Sequence, residues 1–508
     1  MTMRLCVIIL ILTMSFGLPA TFDYNPYNLD KKFYKELKKY FRKIDQRKTT
    51  VAKESNPINI RSEEFTSYLL DDHASTMKSF ENIRLLLTQI LIQKENKQPI
   101  MAHQHHELRR NYTEYMNSLV EIFHLARIAL PSSTKVDDLF TEDDNFNERM
   151  LWILAHSILV NDYLQLSDLA YYNSFTRLYL NSKESAYAIP VNHLNALNNY
   201  LNNSKELFHL KTIFLKMEAY PQNESVPQAS FSEIYDILKD LEYYQQLIHH
   251  DVYMRVSKPY HRLMLKIRDA FFKSVSETGF ILSKVVGNFA GTAKIRQKGY
   301  LYDQPRAKEL LLSQLKPLDV LLDKNYNRLS NYLITSHFGH AAIWLGTKNQ
   351  MIEIGMWDQP FMVPFQEEIA QGKTILESVR SGVRLTSLEH FLDVDELAVL
   401  RYEGFERDSY LRERVYFNGL IQLNKPYDFN FDLFTTEAII CSELVFLAFD
   451  FVDWDYDYAY KRYFIDPDHI AKRSISDFPD FSLPLFLTSS KENEFFVRKL
   501  DYLKLVLK

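Results

Sequence analysis

The sequence predicts an α+β protein in which a long all-α bundle precedes a smaller domain built on a sheet. Three observations predict it. From about residue 30 to 278, apolar residues recur at spacings of three and four, the period of one helix face. After residue 314 the period shortens toward two, in short runs divided by polar turns, as in strands. Twelve glycines among 508 residues are too few for a chain dominated by tight turns, and favour a long helical portion.

Taken in order, the chain opens with Met1-Thr-Met-Arg4, an apolar run from Leu5, and small residues at Ser15-Phe-Gly17 and Leu18-Pro-Ala20. A short positive start, an apolar core and a small-residue cleavage site describe a secretory signal peptide over residues 1–20, too short for a membrane span. The expectation is a secreted or periplasmic protein with no transmembrane span in the mature chain. Cys6 leaves with that peptide, so Cys441 is the single thiol of the mature protein. One thiol cannot close an internal disulfide; it is either a small buried hydrophobe or a nucleophile.

Residues 21–300 read as a helical domain. In "MKSFENIRLLLTQILIQ", Met77, Phe80, Ile83, Leu87 and Ile90 line one face while Lys78, Glu81 and Arg84 point elsewhere. Similar stripes run through "NYTEYMNSLVEIFHLARIAL", "NERMLWILAHSILVNDYLQL" and "FSEIYDILKDLEYYQQLIHH". Proline and polar clusters at Pro131 to Thr134, Pro190 and Pro221 to Pro227 break them. The segment "GFILSKVVGNFAGTAKI", residues 279–295, is too short to span a bilayer and is expected to be a connector. The histidines of "HQHHE" (103–107) and "IHHD" (248–251) read as solvated helix faces, because adjacent histidines do not converge on a metal and no other ligand set completes a site. No metal and no cofactor are expected. A net charge of -5 gives no basic footprint for nucleic acid.

Residues 301–508 hold the strand-like runs "AAIWLG", "QMIEIG", "GVRLTSL" and "ELAVLRY", with a polar turn at Thr347 to Gln350. "CSELVFLAFDF" then starts a helix with Cys441 at its N-terminus, where unpaired N–H groups favour a thiolate. A nucleophile needs a base, and the base an orienting partner. His340 opens the strand "HAAIWLG" and is the candidate base, with His337 a weaker one in the loop before it. Glu353, thirteen residues on, is expected on the return strand beside it, within reach of the imidazole. Asp428 and Asp432 read as turn and cap residues, and the aromatic stretch "FVDWDYDYAYKRYF" as a wall near the cleft.

The order of "GHAAIWLG", "SGVRLTSLEHFL", "NKPYDFNFD" and "CSELV" resembles the YiiX/YaeF-like permuted papain-fold hydrolases, relatives of NlpC-type cell-wall peptidases and of lecithin:retinol acyltransferase. In ordinary papain-like enzymes the cysteine comes first, whereas here Cys441 follows His340 by about a hundred residues. The resemblance runs from about residue 316 to 478 and departs at Leu318, where the family commonly has glycine in a strand entry. It implies a circularly permuted papain-like domain with an antiparallel sheet packed on helices. It also implies a Cys441–His340 pair, with Glu353 preferred as third member and Glu377, in "TILESVRSGVRL", as the alternative. If not at the site, Glu377 would pair with Arg380 or Arg384. A tyrosine about a dozen residues before the cysteine lines the site in NlpC-type relatives; Tyr427, fourteen before Cys441, could hold an oxyanion or simply pack.

Three functions follow. One is an exported cysteine hydrolase acting on an amide or ester bond of a cell-wall peptide or lipid-like substrate through an acyl-enzyme. Another is an acyltransferase of the same chemistry, and the third a non-catalytic envelope-binding or scaffold protein.

Overall fold

The computed structural model describes residues 62–507 except 130–135, 141–145, 172–173, 188, 190–203, 220–227, 242–243, 245–247, 249–297, 327–335, 407, 429–432, 434–435, 460–461, 478 and 492–493. The signal peptide, the 279–295 connector, His249 to Asp251 and the proline breaks at 131–134, 190 and 221–227 lie outside the described residues.

The helical region contains α1 (Ser62–Glu95), α2 (Ala102–Ala129), α3 (Phe146–Tyr171) and α4 (Ser174–Asn181), followed by helices Ser204–Ala219 and Gln228–Asp240. The apolar stripe of α1 faces inward as its spacing dictates: Ile83, Leu87 and Ile90 are buried, while Lys78, Glu81 and Arg84 are exposed. Each such burial contributes about 1.5–3 kcal/mol. Their partners are Leu108, Tyr112 and Tyr115 of α2 and Ile153, Leu154 and Ile158 of α3, in one core.

The second region carries a seven-stranded antiparallel sheet, with β1 (Asp319–Lys324), β2 (His340–Trp344), β3 (Ile375–Val379), β4 (Gly382–Thr386), β5 (Glu396–Tyr402), β8 (Phe481–Lys491) and β9 (Glu494–Val497) in the order β4-β3-β2-β1-β5-β8-β9. A separate hairpin pairs β6 (Asp457–Ala459) with β7 (Arg462–Phe464). Helices cover both faces. In β1, Val320 and Leu322 join a core with the helix Cys441–Ala448, while Leu321 joins another with the helix Pro305–Gln314. Burial on both sides explains why runs such as "AAIWLG" are almost wholly apolar.

One expected strand is a helix. Residues Lys348–Glu353 form α5, and the polar turn before it is its capping box: Thr347 Oγ1 accepts the Gln350 N–H (3.3 Å) and Gln350 Oε1 accepts the Thr347 N–H (2.8 Å). The pattern T-x-x-Q carried that signal. Glu353 therefore ends a helix and points into solvent.

The departure at Leu318 is also structural. Its φ of +68° is left-handed, a conformation that costs a non-glycine residue about 1–2 kcal/mol. The residue is held there by complete burial of its side chain and by an N–H donated to Trp344 O at 2.7 Å.

The helical and sheet regions form one compact unit, Arg61–Lys508. The "HQHHE" histidines lie at this junction and correct the expectation of a solvated face. His105 is buried and His106 nearly so, each bonded to the sheet region, and only His103 is exposed.

Candidate active site

Cys441 is the first residue of α6 (Cys441–Ala448), the helix packed against β2 and β3, and it is buried and free of any disulfide. The backbone leading into it is pinned from two sides: Ile439 O accepts the Ser378 hydroxyl (2.8 Å), and the Ile439 N–H donates to Pro426 O (3.1 Å). Inside the first turn, Glu443 Oε2 accepts the Ile440 N–H (2.9 Å) and Ser442 Oγ donates to Ile465 O (2.7 Å). The leading N–H groups of a helix have no intrahelical partner, so a charge forming at the sulfur meets donors that are already oriented.

His340 is the first residue of β2, directly opposite Asp323 of β1. In the register of β2 with β3, Glu377 faces Ala342, which puts it diagonal to His340 on the same side of the sheet. The diagonal is bridged: His340 Nε2 lies 3.1 Å from Glu377 Oε2. Cys441 is the other side chain that acts on this imidazole, alongside Glu377. Burial would lower the His340 pKa, but the Cys441 hydrogen bond and charge, the Glu377 hydrogen bond and the Asp323 charge together raise it well above 6.5. These neighbours thus favour the imidazolium form of His340.

Glu377 is buried and serves two cations. Oε1 accepts from Arg384 Nε at 2.9 Å across the β3–β4 ladder, while Oε2 faces His340. Burial would raise its pKa; the hydrogen bond and charge of His340, then the Arg384 guanidinium, lower it. The carboxylate therefore stays ionised and fixes the ring. Glu377 satisfies both readings the sequence left open, the site partner and the arginine partner. Glu353, exposed at the end of α5, is not brought to His340.

Tyr427 stands beside the pair, half-buried. Burial raises its pKa well above 10, and the charges of Cys441 and Glu443 raise it further, so its hydroxyl remains a donor. Asp428 is buried. His337 faces away: its Nε2 is 2.9 Å from Glu396, and its N–H donates to Asp468 Oδ2 at 2.6 Å. Asp323 and Arg384 act on the pair through His340 and Glu377. The signal for Arg384 was the Ser381-Gly382 turn, which folds it back opposite Glu377; Asp323 had no local signal.

Among the described residues no group of histidines, cysteines and carboxylates could hold a metal, and no helix is long and apolar enough to cross a membrane. The arrangement can do nucleophilic chemistry at a carbonyl: a sulfur, a protonated imidazole, an orienting carboxylate and donors for an oxyanion.

Residues 314–479 match the model of the permuted papain-like amidase enzymes described as the YaeF/YiiX, C92 family. No curated protein and no solved structure matches the chain.

Proposed function

We propose that this protein is a cysteine amidase, acting after export, whose nucleophile is Cys441. The observation that carries the reading is the hold of Glu377 on His340 at 3.1 Å, with Cys441 acting on the same imidazole from the start of α6. The match of residues 314–479 to permuted papain-like amidases supports it, and the leader-like residues 1–20 support export.

In this reading the Cys441 thiolate attacks the amide carbonyl carbon. The resulting oxyanion is held by the Cys441 backbone N–H and the Tyr427 hydroxyl. His340 then gives its proton to the departing amine as the C–N bond breaks, leaving a thioester on Cys441. A water molecule, deprotonated by His340, attacks the thioester and releases the acid, and the proton returns to the pair. Glu377 keeps the ring oriented and its cation stabilised throughout.

Labelling with a thiol-directed activity probe tests the reading. Wild type should label far faster than a free thiol, His340→Ala should fall to the free-thiol rate, and Cys441→Ala should not label. A wild-type rate equal to that of a free thiol and indifferent to His340 would refute it. Hydrolysis products formed in the presence of competing amines would show whether water or an amine takes the acyl group.

A further inference from the structure

The segment that delivers Cys441 is held by the helical region through groups that are buried at the junction. After α4, Glu184 is fixed by a backbone bridge to Ile189, and its carboxylate enters the sheet region. Oε1 takes Lys425 Nζ at 2.6 Å and Oε2 accepts the Thr436 hydroxyl at 2.5 Å. Lys425 Nζ in turn donates to Thr436 O at 2.6 Å, joining these two residues directly. Both ends of the ion pair are 1% exposed.

Lys425 and the residue after it are tied to the backbone on either side of the site. Lys425 O accepts the Val383 N–H at 2.9 Å, Pro426 O accepts the Ile439 N–H at 3.1 Å, and Tyr427 follows them directly in sequence. From α2, His105 Nε2 lies 2.8 Å from Leu433 O, and His106 Nε2 lies 2.9 Å from Leu447 O in α6 itself. A charge without its counter-charge is not tolerated in such a place, so the pair admits one geometry of the segment.

We propose that Glu184 is a positioning residue for the Cys441 thiol, acting through Lys425 and Thr436, and that the helical region is thereby a working part of the amidase site. The proposal rests on the reading of Cys441 as the nucleophile. Glu184 touches no reacting atom. It sets where the backbone at Lys425–Asp428 and at Thr436–Ile440 lies, hence how the sulfur meets His340 and where the Tyr427 hydroxyl points, and a displacement of about 1 Å at a reacting group can cost about 100-fold in rate.

The test is the rate of Cys441 alkylation by iodoacetamide in the intact protein as a function of pH, beside its far-UV circular dichroism. Glu184→Gln should keep the wild-type spectrum but lose about tenfold to 100-fold in rate near neutral pH, with a pH profile that differs from wild type. Thr436→Val should move in the same direction by less. Should Glu184→Gln fail to fold, the double variant Glu184→Leu/Lys425→Met, from which both charges leave together, carries the same expectation. Folded variants with the wild-type rate and profile overturn the proposal alone, provided wild type itself depends on His340. A wild-type thiol that alkylates like a free one, whatever residue 340 is, overturns the proposal and the nucleophile reading together.

Discussion

A carboxylate that orients a catalytic imidazole must itself be held, and Glu377 is held by having two oxygens with separate tasks. Arg384 occupies one and His340 the other, so the His340 ring cannot rotate without breaking a bond from a buried anion. Glu377→Gln keeps the shape but removes the charge that favours the imidazolium. In the proposed amidase it should lower kcat/KM by about 10²–10⁴, the range seen when a triad carboxylate is neutralised. Glu353→Gln, in solvent at the end of α5, should leave kcat/KM unchanged and stability within about 0.5 kcal/mol. Equal effects of the two would refute the assignment. The pH dependence has a definite sign. In the proposed amidase His340, whose pKa is raised, is the acid toward the amine, so amide turnover should fall as alkaline pH removes its proton, while alkylation of the thiol persists. At this scale the positions of the candidates Cys441 and His340 were legible because each opens an element: a helix start and a strand start are marked by local pattern. The carboxylate beside His340 was not, because the choice between Glu353 and Glu377 depended on whether residues after Thr347 turn back as a strand, and a capping box decided otherwise.

The elements show where local rules meet long-range contacts. Gly382 opens β4 at φ +107°, and a Cβ there would lie 2.6 Å from Lys425 O, the backbone of the segment that carries Tyr427. Neither the dihedral nor the space admits a side chain. Gly382→Ala should therefore destabilise the fold and, in whatever protein remains folded, slow alkylation of Cys441; a neutral result in both assays would show that the segment shifts freely. Helix α2 offers a second test. His105 is buried, and burial first of all drives its pKa down to about 3. It is neutral, so Nε2–H donates to Leu433 O and Nδ1 accepts from the Tyr179 hydroxyl at 2.6 Å. Unfolded, the same ring binds a proton near pH 6.5. Between those values the unfolded chain holds the extra proton, so this residue costs stability as pH falls from about 6.5 toward 3, at up to roughly 1.4 kcal/mol per pH unit. His105→Gln, which can still donate to the carbonyl, should flatten that part of the stability curve measured by urea unfolding. An unchanged slope would show that His105 is already protonated in the fold. The helix itself was legible from its spacing, but the burial of two adjacent histidines was not. Their acceptors are carbonyls more than 300 residues away in sequence, at separations of 328 and 341.

For the molecule as a whole, the question is whether the helical region and the sheet region melt together. The junction contains an ion pair with both members buried, and removing one member of such a pair costs about 3–5 kcal/mol because the other is left charged and dry. Opening the junction also unseats His105, His106 and the contact of Thr436 with Glu184, and Ala102 of α2 is already a member of the core built around β1 and α6. The two-domain reading of the sequence placed its border near residue 300 on a change of period, a local property; nothing in a single stretch discloses that Glu184 and Thr436, separated by 252 residues, share a hydrogen bond. If the junction couples the regions, unfolding of the intact chain should be one cooperative transition. Far-UV circular dichroism, dominated by the helices, and tryptophan fluorescence, dominated by Trp344, Trp357 and Trp454 in the sheet region, should give the same midpoint and the same m-value. In Glu184→Ala the junction loses its anion while both cores keep their apolar contacts, so the fluorescence midpoint should fall below that of the helices. Two separated transitions in wild type would show that each region is stable by itself, and that the hold on the cysteine segment is weaker than its burial implies.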